Sequence, residues 1–174
     1  MTRLGLPFLA LAALSLPASA ALAQRAGASL RNAQGQVIGE ASAMRSGNVV
    51  RVRVSVRGLA PGVHGVHLHQ TGRCDAPDFA SAGPHWNPTS HQHGRLNPQG
   101  PHLGDLPNLQ VGRNGMGRID FAVPVPAGTA AGVNPLLDAD GTAIVIHAAA
   151  DDLRTDPSGN SGARIACGAL TPVR

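Results

Sequence analysis

Apolar residues in this chain recur mostly at every second position. "VVRVRVSV" (Val49–Val56) alternates valine with arginine and serine from Val50 onward, which predicts a half-buried strand because successive strand side chains face opposite sides. "ASLRN" and "VIGEASAM" precede it, bounded by the turn-like "AQGQ" and "RSGN". "VHGVHLH", "GRIDFAVPV", "TAIVIH" and "ARIACGAL" complete the predicted strands. Helical periodicity is hard to find beyond the first two dozen residues. Many short strands joined by Gly- and Pro-rich connections predict one all-β domain, an antiparallel sandwich or barrel. Two stretches break the pattern, Gln70–Gly112 and Ala148–Ala163. Loops that long in a compact domain are usually functional or disordered.

The first residues follow a different rule. "MTRLGLPFLALAALSLPASAALAQ" places Arg3 before an apolar run, followed by A-x-A sites ending at Ala20 and Ala23. That is the pattern of a secretory signal peptide; the run falls short of the roughly 20 residues that span a bilayer. Residues 1–23 are therefore expected to be removed, with cleavage after Ala23 favoured over Ala20. Residues 24–174 remain as an exported domain with no membrane span. The formal charge is +4, and every basic residue is arginine. Charge of that sign raises nucleic acid as a partner, but aromatics make up only 2% of the chain and no run of arginines forms a stripe along the sequence, so that reading is set aside. Cys74 and Cys167 are the only cysteines; in an oxidising compartment a disulfide between them is the default.

Histidine carries the chemistry. In "GVHGVHLHQTGRC", strand alternation sends His67 and His69 to one face and His64 to the other. One H-x-H pair is a weak signal, more often ordinary polar surface. "SAGPHWNPTSHQHGRLNPQGPHLGDLPNL" then places His85, His93, His102 and Asp105 in one loop. Three imidazoles and a carboxylate make a closed tetrahedral set suited to zinc. His147 ends the apolar strand "AIVIH" and would supply a member that the His67–His69 pair lacks.

Together "HGVHLH", "SAGPHWNP", "HLGDLPNL", "IVIHAAADD" and "GNSGARIACG" resemble the copper/zinc superoxide dismutases in their bacterial secreted form. The resemblance runs from about Ala28 to the C-terminus. It implies a Greek-key β-sandwich or flattened barrel of immunoglobulin-like architecture with two long functional loops. It also implies one copper and one zinc per subunit. His67, His69 and His147 match copper ligands, His85 the histidine bridging copper and zinc, and His93, His102 and Asp105 the remaining zinc ligands. Asp151 matches the carboxylate linking a copper ligand to a zinc ligand, His64 a supporting histidine, and Arg164 the arginine beside the open copper position. Cys74 and Cys167 match the family's disulfide. His91 matches no family residue and is expected to face solvent; Trp86 is expected either to pack over the loop or to face a partner.

The implied activity is dismutation of superoxide to dioxygen and hydrogen peroxide, an antioxidant defence outside the cytoplasm, in the periplasm or the extracellular space. Imidazole suits copper, while zinc has no redox change and holds ligands in place. Superoxide is too small to recognise by shape, so Arg164 is expected to select it by charge. The second loop offers only Arg154 against Asp151, Asp152 and Asp156, so long-range guidance is weaker or comes from near Arg73 or Arg95. Bacterial family members occur as monomers and dimers, so a homodimer is one expectation. A metal carrier without turnover would keep the ligands but would not need Arg164. A zinc hydrolase would need an open zinc position, which four protein ligands deny it.

Overall fold

The structure, a computed structural model, describes residues 24–126 and 138–173. The expected signal peptide lies outside the described residues. Among the described residues there are nine strands: β1 (Gln24–Asn32), β2 (Val37–Ser46), β3 (Val49–Val56), β4 (Gly62–His64), β5 (Val66–His69), β6 (Leu109–Val111), β7 (Gly117–Pro124), β8 (Thr142–His147) and β9 (Arg164–Pro172). All pairings between them are antiparallel.

The sheet order is β4-β6-β7-β3-β2-β1-β9-β8-β5. Its two ends, β4 and β5, are separated by Gly65 alone, so the sheet must curl back on itself into a nearly closed barrel. The connections β3–β4 and β7–β8 leap to non-neighbouring strands, as a Greek key requires. The all-β architecture read from the sequence is the one observed. Two details differ. "VHGVHLH" is not one strand: Gly65 breaks it, and β4 pairs with β6 while β5 pairs with β8. β6 lies inside the stretch expected to be structureless; three residues are too few to show a period.

Valine alternation builds the wall. In β3, Val50, Val52, Val54 and Val56 are buried while Arg51, Arg53 and Ser55 are exposed. Burying a valine stabilises by roughly 1.5–3 kcal/mol. These valines join Leu30, Leu68, Leu106, Leu109, Ile144 and Ile146 in the barrel interior.

β5 and β8 are buried along their whole length, because the two long loops cover their outer side. Leu68, Ile144 and Ile146 point into the barrel. Ala143 and Val145 point outward, into a smaller cluster with Phe79, Ala82 and Cys167. Cys74 and Cys167 form the disulfide, tying the first loop to β9. Trp86 packs in the barrel core, which answers the question its position raised and leaves its neighbour His85 facing the other way.

Candidate metal centre

The first long loop is stitched to β5 backbone to backbone. Leu68 N–H donates to Gly104 O at 2.9 Å, Trp86 N–H to Leu68 O at 2.8 Å and Leu106 N–H to Val66 O at 3.3 Å. Bridge pairs His67–Asp105 and His69–His85 follow, so the loop lies on β5 almost as a further strand. Gly104 is required there: a Cβ would sit 2.4 Å from Leu68 O and 3.0 Å from Trp86 N.

This docking brings the outward histidines of β5 and β8 against those of the loop. His67, His69, His85 and His147 form one group, with one candidate ligand atom from each within 4.8 Å of the others; His67, His85, His93 and Asp105 form a second. All are buried. His102 falls outside the second group, yet its Nδ1 is 3.2 Å from Asp105 Oδ1.

The ring hydrogen bonds decide which nitrogens are free. His67 Nε2–H donates to Asp151 Oδ2 at 2.9 Å. His69 Nδ1–H donates to Gly83 O at 2.7 Å, His147 Nδ1–H to Gly162 O at 3.0 Å and His93 Nε2–H to Asp151 Oδ1 at 3.0 Å. The other nitrogen of each ring, His67 Nδ1, His69 Nε2, His147 Nε2 and His93 Nδ1, is buried with no hydrogen-bond partner. Three orphaned lone pairs in one buried cluster, on His67, His69 and His147, are costly unless a cation takes them. His85 Nδ1, His93 Nδ1 and His102 Nδ1 stand 3.0, 3.0 and 3.2 Å from Asp105 Oδ1. The edge of a tetrahedron around zinc is about 3.3 Å for zinc–ligand bonds of about 2.0–2.1 Å. The donor set fits copper in one group and zinc in the other, with His67 and His85 common to both.

The electrostatics agree. Burial pushes His67 down to about 3 and His147 down to about 4, holds His69 well below the ordinary imidazole range, and lowers His85. These rings are neutral near pH 7, as ligands must be. Burial also works against a charge on His93, but the Asp105 and Asp151 carboxylates outweigh it and lift this ring to about 9. Burial opposes ionisation of those carboxylates, yet hydrogen bonds from His102 and His85 to Asp105, and from His67 and His93 to Asp151, hold both well below the usual carboxylate range. Two buried anions here call for a positive charge between them.

Around this centre, His64 Nδ1 lies 2.8 Å from His147 O, supporting β8 from behind. Arg164 donates to Phe79 O and Gly83 O, each at 2.8 Å. Its guanidinium borders a depression lined by Pro77, Asp78, Ala80, Gly162 and Ala163, and its charge acts on both His69 and His147. His91 is exposed, with Nδ1 3.2 Å from Pro101 O. Arg73 pairs with Asp75, Arg95 lies over the Phe121 ring at 4.5 Å, and the Arg154 guanidinium donates to Leu96 O at 3.5 Å.

Three further residues matter. Asn108 grips Asp151 twice, donating to its carbonyl at 2.8 Å and accepting from its N–H at 2.9 Å. Asp156 Oδ1 accepts from His93 N–H at 2.6 Å, pinning the second loop to the first. Gly159 packs where a Cβ would meet Asp151 and His93. No period or spacing marks them, though "LPNL" and "TDPSGN" carry the amide and carboxylate types that cap loops.

A family model described as copper/zinc superoxide dismutase matches residues 33–170. The chain belongs to the copper/zinc superoxide dismutase family. It is 40% identical over 147 residues to "Superoxide dismutase [Cu-Zn] 2" of Aquifex aeolicus, covering 84% of this chain and 86% of that one. It is 43% identical over 123 residues to "Superoxide dismutase [Cu-Zn]" of Caulobacter vibrioides, covering 70% and 71%. A solved structure of a "SOD-like protein" from Bacillus subtilis superposes with a TM-score of 0.75 at 41% identity, covering 83% of this chain and 97% of that one.

Proposed function

We propose that this protein converts two superoxide anions and two protons into one dioxygen and one hydrogen peroxide, outside the cytoplasm. One observation carries the reading: His85 stands between two buried ligand groups, engaged through Nδ1 with the Asp105 group, which leaves Nε2 to the histidines of β5 and β8. Copper supplies a one-electron redox couple when bound, and zinc, which has none, supplies fixed charge.

The chain's residues do the rest. His67, His69, His85 and His147 would hold copper; His85, His93, His102 and Asp105 would hold zinc. His67 has only Nδ1 to offer, since its Nε2 is committed to Asp151, and we assign it to copper because His85, His93, His102 and Asp105 already make a four-ligand zinc set. Four imidazoles leave room for a small anion beside Arg164. That side chain is held by two carbonyls with its charge facing the depression, where it draws and orients superoxide. His85 Nε2 is the atom placed to take up a proton and release it to the departing peroxide. Asp151 keeps His67 and His93 in the tautomers that aim Nδ1 inward.

Export rests on the signal-like residues 1–23, with residues 24–174 as the functional domain, and the disulfide fits an oxidising compartment. The periplasm is the compartment we favour. Among the described residues no helix is long and apolar enough to cross a membrane.

The test is stopped-flow decay of superoxide with protein carrying one copper and one zinc. The expected rate constant approaches the ceiling of about 10⁸–10⁹ M⁻¹s⁻¹, which superoxide dismutases are known to reach. Arg164→Ala should keep its metals and lose about tenfold of that rate, together with part of its salt dependence. Decay at the uncatalysed rate by fully loaded protein would leave a metal carrier as the reading.

A further inference from the structure

The barrel wall opposite the metal centre carries an arginine-lined groove. In the curled sheet, β2 and β3 each lie four strands from β5 by the shorter way round. Three depressions of about 230, 270 and 190 Å³ run along the outer face of these strands. Neighbouring depressions share walls: Ser42 and Arg53 line the first two, Glu40 and Ser55 the second and third. They therefore form one trench. From Arg51 to Arg57 it extends roughly 20 Å at the rise of a strand.

Its charge is lopsided. Arg25, Arg51, Arg53, Arg57 and Arg118 line it, against Glu40. Arg51 and Arg53 share a single carboxylate, Asp120, at 2.7 and 3.0 Å, so that trio keeps a net positive charge and unused N–H groups. Arg25, Arg57 and Arg118 make no side-chain hydrogen bond or ion pair among the described residues. Strand alternation creates the patch: Arg51, Arg53 and Arg57 share one face of β3 and its exit, and register sets Arg25 opposite Met44 and Arg118 opposite Ser55. Read along the chain these residues are scattered, which is why no stripe is visible in the sequence.

The geometry points to a docking groove for a linear polyanion, an extended chain of closely spaced phosphate or sulfate groups. Guanidinium forks match tetrahedral oxyanions two oxygens at a time. A trench fits a single chain better than a flat membrane. No aromatic residue lines it, so it has nothing on which to stack nucleic-acid bases. A second copy of this protein would bring like charge against like. Bound there, a polymer would hold the protein in place with the Arg164 entrance, which shares no lining residue with the trench, left open.

Isothermal titration of the purified protein with long-chain inorganic polyphosphate, with dextran sulfate and with orthophosphate tests this. Saturable binding of a polymer with far weaker binding of orthophosphate is expected. The logarithm of affinity should fall with the logarithm of salt at a slope of about −3, from four or five phosphate contacts at about 0.7 each. Binding by polyphosphate alone identifies phosphate as the recognised group; equal binding by dextran sulfate identifies anion spacing. Arg51→Gln/Arg53→Gln should flatten the slope by about 1.4, and Arg25→Gln/Arg118→Gln likewise. Superoxide decay should be unchanged in both, which separates failure here from failure of the dismutase reading. Absence of saturable binding, slopes unaltered in both double variants, or tighter binding of a single-stranded oligonucleotide would overturn the proposal.

Discussion

Asp151 shows how much a single side chain organises. Its two carboxylate oxygens fix one ring from each ligand group, His67 and His93, while Asn108 fixes its backbone. Asp151→Asn turns one of these acceptors into a donor facing a ring N–H, so one imidazole must flip or tilt. We expect metal affinity to fall about 10–100-fold, read by chelator competition for copper and zinc separately, with the fold intact by circular dichroism. Unchanged affinity for both metals would mean that the rings are held by packing alone. At this scale the sequence was partly legible. The H-x-H alternation picks out His67 and His69, and the clustering of His85, His93, His102 and Asp105 in one loop suggests a zinc set, but the bridging role of His85 and the role of Asp151 came through resemblance. Phe79, Gly83 and Gly162 contribute only carbonyl oxygens, which every residue possesses, so no residue type could have announced them.

The element that matters most is the pairing of the first loop with β5. Its three backbone hydrogen bonds place Asp105 and His85 opposite His67 and His69, and Gly104 permits that approach. Gly104→Ala forces a Cβ against the Leu68 carbonyl. It should destabilise by about 1–3 kcal/mol, the usual cost of overpacking, lowering the midpoint of thermal unfolding in both metal-loaded and chelated protein. A variant as stable as the parent would show that the loop yields at no cost. β3 and β8 were legible to the residue because their apolar positions alternate or run unbroken. The break at Gly65 was not, since both halves keep the same alternation and only their partners differ. β6 was not legible either, being defined by pairing rather than by pattern.

For the whole molecule, burial and charge set how the metal-free protein responds to pH. His67 and His147 stay neutral when folded down to about 3 and about 4, whereas the unfolded chain protonates them below 6.5. Acidification through that window therefore favours unfolding. His93 has the opposite sign: raised to about 9 when folded, it contributes fully below 6.5, and that contribution is lost as the pH rises through 9. Stability of the metal-free protein should peak near pH 6.5 and fall on both sides; scanning calorimetry across the range checks it, and a flat profile would contradict these environments. The arrangement of the two long loops was illegible because they have no period; only the folded chain shows the Asp105 and Asp151 carboxylates facing one another across His93. The claim on which everything else depends is that one imidazole, His85, joins two metal positions. Filling both with copper(II) and recording electron paramagnetic resonance tests it directly. A shared imidazolate couples the two spins, so the signal should fall well below that of two isolated ions and recover in His85→Ala. Full, uncoupled intensity in the unaltered protein would contradict the account.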